Sequence, residues 1–101
     1  MYIYNVTTKI MPSIHEEWVE WMKHTHIPQV MKTGCFTKFQ FVRLLETDES
    51  DGFTYAAQYY AESRADYNRY IELHAPLLRD DANKTWGNRF IGFRSLMEVV
   101  H

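Results

Sequence analysis

WVEWMKHTHIPQVMKTGCF, the stretch from Trp18 to Phe36, carries the densest information in this chain. Taken with the residues just before it, Ile14, Trp18, Trp21, Met22 and Thr25 fall within a narrow arc at about 100° per residue, the buried stripe of an amphipathic helix. Ser13, with Glu16 three residues on, forms a capping-box pattern that would start the helix behind Pro12. Pro28 lacks an N–H and pushes Ile27 away from helical angles, so the helix is expected to stop or kink there. Pro28 can open a further short turn, which Gly34 closes with a left-handed cap. A strand follows from Phe36. A helix that breaks beside His26 can aim a polar side chain into an apolar pocket.

Outward from this stretch the periodicity switches between the strand and helix templates. Tyr2 to Ile10 alternates, with Tyr4, Val6, Thr8 and Ile10 on one face, and reads as the first strand. Phe36 to Glu46 and Phe53 to Ala61 read as the second and third, joined through the acidic turn Thr47–Gly52 as a hairpin. Ser63 with Asp66 starts a second helix carrying Tyr67, Tyr70, Ile71 and His74. Pro76 breaks or restarts that helix, Leu77 to Trp86 is helical or turn-like, and Gly87 with Asn88 ends it. Phe90 to Val100 is the fourth strand. The order β-α-β-β-α-β is the ferredoxin-like, split βαβ arrangement of the α+β class: a four-stranded antiparallel sheet with both helices on one face. One domain over residues 1–101 is expected.

Large apolar residues occupy both faces of these strands, such as Phe39 and Phe41 against Val42, and Tyr55 and Tyr59 against Tyr60. Two helices cover one face only. The other is expected to meet a second copy, sheet against sheet, in a two-fold homodimer. The net charge of −2, from 11 Lys and Arg against 13 Asp and Glu, supplies no basic patch for nucleic acid or an anionic membrane. The lone Cys35 rules out an internal disulfide and suits a reducing cytoplasm, and no apolar run approaches a membrane span.

A ferredoxin-like unit with a two-sided sheet and a Trp-rich first helix ending in His-x-Pro resembles the dimeric α/β-barrel superfamily. Within it the chain is more closely similar to a family of short, uncharacterised bacterial proteins. The matching residues include Ile3–Thr7, Ser13–Trp18, Trp21-Met22, His26-Ile27-Pro28, Val30-Met31 and Thr33-Gly34. They continue through Arg43–Glu46, Tyr55-Ala56, Gln58-Tyr59, Asp66-Tyr67, Tyr70, His74-Ala75-Pro76 and Phe93-Arg94, nearly the whole length. The resemblance implies the fold and the dimer. Distant superfamily members include cofactor-independent monooxygenases, lactone isomerases, haem-degrading enzymes and plain ligand binders, with pockets between the helices and the sheet. Fold likeness does not transfer a reaction. Met1–Val6 and Gly52–Ala56 also partly resemble the two sheet motifs of RNA-recognition domains. Asp51 and Gln58 stand where a basic and an aromatic residue belong, and the charge is wrong for phosphate.

The candidate catalytic residues are His26 and His74, each near the end of a helix before a proline and each with an ordinary pKa near neutral. The candidate ligand-binding residues are Trp18, Trp21, His26, Tyr59 and Arg94. Each has a structural reading beside the functional one. A Trp pair at helical spacing builds core; His26 can cap a backbone group, and His74 can face a helix C-terminus. Arg43 and Arg94 lie within strands and call for a carboxylate, from Glu46, Glu98 or a ligand. His24 and His26 point about 200° apart on a helix, so no metal site is expected, and no cofactor is implied. Cys35 reads as a small buried apolar residue. The expected function is binding of a small hydrophobic or aromatic molecule between helices and sheet. The alternatives are a cofactor-independent monooxygenase- or isomerase-like enzyme and a purely structural dimer.

Overall fold

The computed structural model describes all residues, Met1–His101. Its strands are β1 (Tyr2–Ile10), β2 (Lys38–Arg43), β3 (Phe53–Ala61) and β4 (Phe90–Glu98). They form one antiparallel sheet in the order β2-β3-β1-β4, the ferredoxin-like α+β topology. In this register Tyr4 faces Tyr59 and Leu96, and Val6 faces Ala57 and Arg94. These even positions of β1 and β4 and odd positions of β3 make the helix-facing side, where Tyr4, Ile10, Ala57 and Tyr59 are buried.

Two helical rods cover that side. The first begins with a 3-10 turn at Pro12–Ile14, then runs through α1 (His15–Trp21), a π-helical turn at Met22–His26 and α2 (Ile27–Lys32). The capping box does not form. The turn opens one residue early, with Met11 at the cap, Pro12 at the first helical position and Ile14 N–H donating to the Met11 carbonyl at 3.2 Å. Proline's preset φ favours that start, and it leaves Ser13 inside the turn, where its hydroxyl cannot cap. The buried stripe is present in Ile14, Trp18, Met22, Ile27 and Val30.

The helix also does not stop at Pro28. In a regular α-helix the proline ring would collide with the His24 carbonyl and leave it without a donor. Here the turn before it widens, and the Ile27 N–H reaches back five residues to the Met22 carbonyl. The chain stays helical until Gly34, whose φ of +74° ends the rod in the left-handed region.

The second rod is α3 (Arg64–Leu73) followed by α4 (Ala75–Trp86). Ser63 caps it as expected, its Oγ accepting from Asp66 N–H at 3.1 Å. Between the two segments His74 leaves helical geometry, at φ −120° and ψ −39°, and Pro76 restarts the helix in its first turn. The second strand is shorter than its apolar pattern suggests. Phe36 lies ahead of it as a buried core residue, and beyond Leu44 the chain turns away, with Glu46 at φ 59°.

The open side of the sheet is more polar than the count of large apolar residues implies. Register aligns Gln40, Gln58, Asn5 and Ser95 in one row across all four strands. Apolar and aromatic residues flank that row, and Ile91 and Phe93 are 75% and 63% exposed. No helix is long and apolar enough to cross a membrane.

Candidate functional site

Between the rods and the sheet lies a cavity of ≈ 90 Å³. At roughly 10–15 Å³ per water, such a space has room for about six waters. Its walls come from every layer. Trp18, Trp21, Met22 and His26 descend from the first rod; Leu78, Arg79 and Trp86 from α4; Tyr4, Tyr59 and Arg94 from the sheet. Aromatic contacts fix their orientation. Trp18 packs at 5.8 Å from Phe41 and 5.5 Å from Tyr55, ring centre to ring centre. Trp21 stacks on His26 at 4.8 Å and meets Trp86 edge-on at 5.8 Å.

The π turn decides where His26 points. One extra residue in the turn rotates everything after it by about 100° relative to a regular helix. His24 consequently faces solvent, with Nε2 2.9 Å from Glu20 Oε2, while His26 enters the cavity wall. Burial lowers the His26 pKa from 6.5 to about 4, an effect partly offset by the negative charge of Asp81. Near pH 7 its imidazole is neutral.

Four buried polar atoms find no partner within the protein: His26 Nδ1, Tyr59 Oη, Arg79 Nε and Trp86 Nε1. All four residues line this one cavity. A buried polar group left unpaired costs about 1–3 kcal/mol, and a domain's net stability is only about 5–15 kcal/mol. Four such groups scattered by chance would be a heavy burden; gathered at one space, they form a preorganised set of ligand contacts. Burial pushes the Tyr59 phenol up, and it does the same to Tyr70, so both keep their O–H. Arg79 also donates through Nη2 to the Tyr4 hydroxyl at 3.2 Å. Arg94, exposed at the rim, makes no ion pair with Glu98 or any other residue, whereas Arg43 pairs with Glu49 rather than Glu46, at 2.7 Å.

The structure thus gathers Trp18, Trp21, His26, Tyr59 and Arg94 around one space. It does not bring His74 there. His74 stacks on Tyr70 at 6.3 Å, outside the cavity wall. Cys35 is buried and accepts from Arg69 Nε at 3.3 Å. Sequence reasoning missed Arg79 and Trp86. The available signal was the four-residue spacing of Leu78, Ala82 and Trp86 on α4, with Arg79 beside it. It also missed His15, whose Nε2 lies 2.7 Å from the hydroxyl of the cavity residue Tyr55.

With the fold and cavity described, the chain can be set beside known proteins. A domain of unknown function, DUF4286, matches residues 1–100. The chain belongs to this family. No curated protein matches the sequence. Among solved structures, an ethyl tert-butyl ether d (ethd) family protein from Bacillus halodurans is similar, at 16% identity and TM-score 0.71, over 99% of this chain and 100% of that one. A dimeric ferredoxin-like protein from an uncultured marine organism aligns at 8% identity and TM-score 0.73, over 100% and 96% of the two chains. A monooxygenase of Streptomyces coelicolor, in complex with the ligand Nanaomycin D, aligns at 16% identity and TM-score 0.67, over 99% and 88%. At these identities the likeness of this DUF4286 member to its neighbours is one of fold.

Proposed function

We propose that this DUF4286 protein is a cytoplasmic homodimer that binds a small aromatic molecule in the cavity between its helices and sheet. One observation carries the reading: every unpartnered buried polar atom of the chain belongs to a residue lining one aromatic cavity. Such a site, apolar with a few convergent polar groups, has the composition of a ligand pocket. The neighbour bound to Nanaomycin D lends support, since it holds a ligand on the same fold.

Binding is favoured over catalysis by the state of His26. A general base works best with a pKa near the operating pH. His26, lowered to about 4, is a poor proton acceptor near neutrality and a good neutral hydrogen-bonding and stacking partner.

The dimer reading rests on the open sheet face. Its exposed Ile91 and Phe93, and the unpaired outer edges of β2 and β4, suit a second copy better than solvent. The dimeric ferredoxin-like neighbour supports it as well.

A thermal-shift screen of small aromatic acids, amides and quinones tests the pocket. A ligand at a hundredfold excess over its Kd adds about 2.7 kcal/mol of stability, which is easily seen as a rise in Tm. His26→Ala is expected to fold and to lose most of that shift. A wild-type protein that responds to none of the set would refute the pocket. Sedimentation equilibrium tests the dimer, which a monomer at micromolar concentration would exclude.

A further inference from the structure

We infer that the molecule bound in this cavity is an anion, a planar aromatic carboxylate whose acidic group meets Arg79 and Arg94 while its ring lies against Trp21 and His26. The inference rests on the pocket reading above and adds the charge and chemistry of the ligand.

Charge is the first observation. Arg79 and Arg94 both line the cavity, no Asp or Glu does, and neither arginine is in an ion pair. Asp80, the acidic neighbour of Arg79, is engaged with Lys84 at 3.0 Å. Two guanidinium groups therefore share one wall with no counter-charge supplied by the chain. A carboxylate is the group that a planar guanidinium fork fits best.

The hydrogen-bond inventory is the second. Arg79 Nε–H and Trp86 Nε1–H can only donate, and Tyr59 Oη–H is a ready donor. Tyr59 and Trp86 are only 2% and 6% exposed. His26 Nδ1 is the one remaining orphan that can accept. A pocket with surplus donors is complementary to a ligand that only accepts, which describes an ionised carboxylate. A neutral hydrocarbon would leave the donors unpaired.

The wall itself excludes a bare inorganic anion. Of the 19 lining residues 14 are hydrophobic, so a phosphate or sulfate ion would satisfy the donors and leave the aromatic surface unfilled. A flat ring carrying one acidic group matches both parts. The Trp21–His26 stack, at an interplanar angle of 22°, presents a flat surface for that ring.

Isothermal titration of 2-naphthoate and 2-naphthamide, equal in shape and different in charge, tests the inference on wild type and Arg94→Gln. The expected result is at least tenfold tighter binding of the acid to wild type. Arg94→Gln, a change at an exposed residue without a protein partner, is expected to remove most of that preference and leave amide binding unchanged. Equal affinity for acid and amide overturns the anion and leaves the pocket standing. An acid preference that survives both Arg94→Gln and Arg79→Gln overturns the placement of the acidic group. Binding of neither compound overturns the pocket and the anion together.

Discussion

His26-Ile27-Pro28 and His74-Ala75-Pro76 are the same three-residue pattern, each at a junction between two helical segments. At the first junction the backbone stays helical and widens into a π turn, with Ile27 at φ −60° and ψ −45°. At the second it breaks, with His74 at φ −120° and ψ −39°. The flanks account for the difference. Met22, Ile27 and Val30 are all buried on one side of the first rod, so a break there would pull part of the stripe out of the core. Around the second junction Leu73 and Leu77 are 63% and 75% exposed, and little is lost when the axis changes direction. A proline dictates that one helical hydrogen bond is missing. Packing on either side dictates whether the chain absorbs the loss by widening or by bending, and thereby which histidine enters the cavity.

The largest expected effect tests whether burial along the first rod is what holds it continuous. Trp18→Ala, at a side chain 3% exposed, is expected to cost about 3–5 kcal/mol in urea unfolding. Leu77→Ala on the second rod is expected to stay within about 0.5 kcal/mol. Similar losses for both would break the contrast between the rods.

The next concerns the histidine that the π turn buries. The unfolded chain takes up a proton at His26 as pH falls below 6.5, and the folded protein resists until about 4. Within that window the unfolded state binds more protons, so stability declines with falling pH and levels off below the folded value. The 2.5-unit span between those two values corresponds to an upper limit of about 3 kcal/mol. His26→Gln is expected to flatten this component of the stability–pH curve. A slope between pH 6.5 and 4 unchanged by the substitution would mean that His26 is not buried as described.

The smallest compares how the rods begin. Ser63→Ala removes a formed cap and is expected to cost about 1 kcal/mol. Ser13→Ala removes none and is expected to stay within about 0.5 kcal/mol. Equal melting shifts for the two would restore the capping box at the first rod.

Much of this architecture was legible beforehand because it depends on local alternation. Tyr2–Ile10 and Phe53–Ala61 were readable to the residue from period-two patterning, and Ser63 from its place before a helical run. The helix-facing positions of Tyr59 and Arg94 followed from the same alternation. The opening of the first rod was misread because two local signals competed, the Ser13–Glu16 spacing and the helix-starting geometry of Pro12. Arg79 and Trp86 escaped because α4 mixes charged and apolar residues too evenly to show which side is buried. That side is set by contacts such as Arg79 with Tyr4, 75 residues apart.

By itself the sequence determined the strands, the order of elements, the two rods and the positions at which each rod must lose a hydrogen bond. These are properties of short stretches, governed by side-chain period, backbone sterics and missing donors. Tertiary structure alone decided that the first proline would be accommodated by a π turn, that His26 rather than His74 would enter the cavity, and that four unpaired polar atoms would gather around one space. Those outcomes depend on which buried surfaces must stay in register when two helices and four strands close over one another, and no local stretch contains that information.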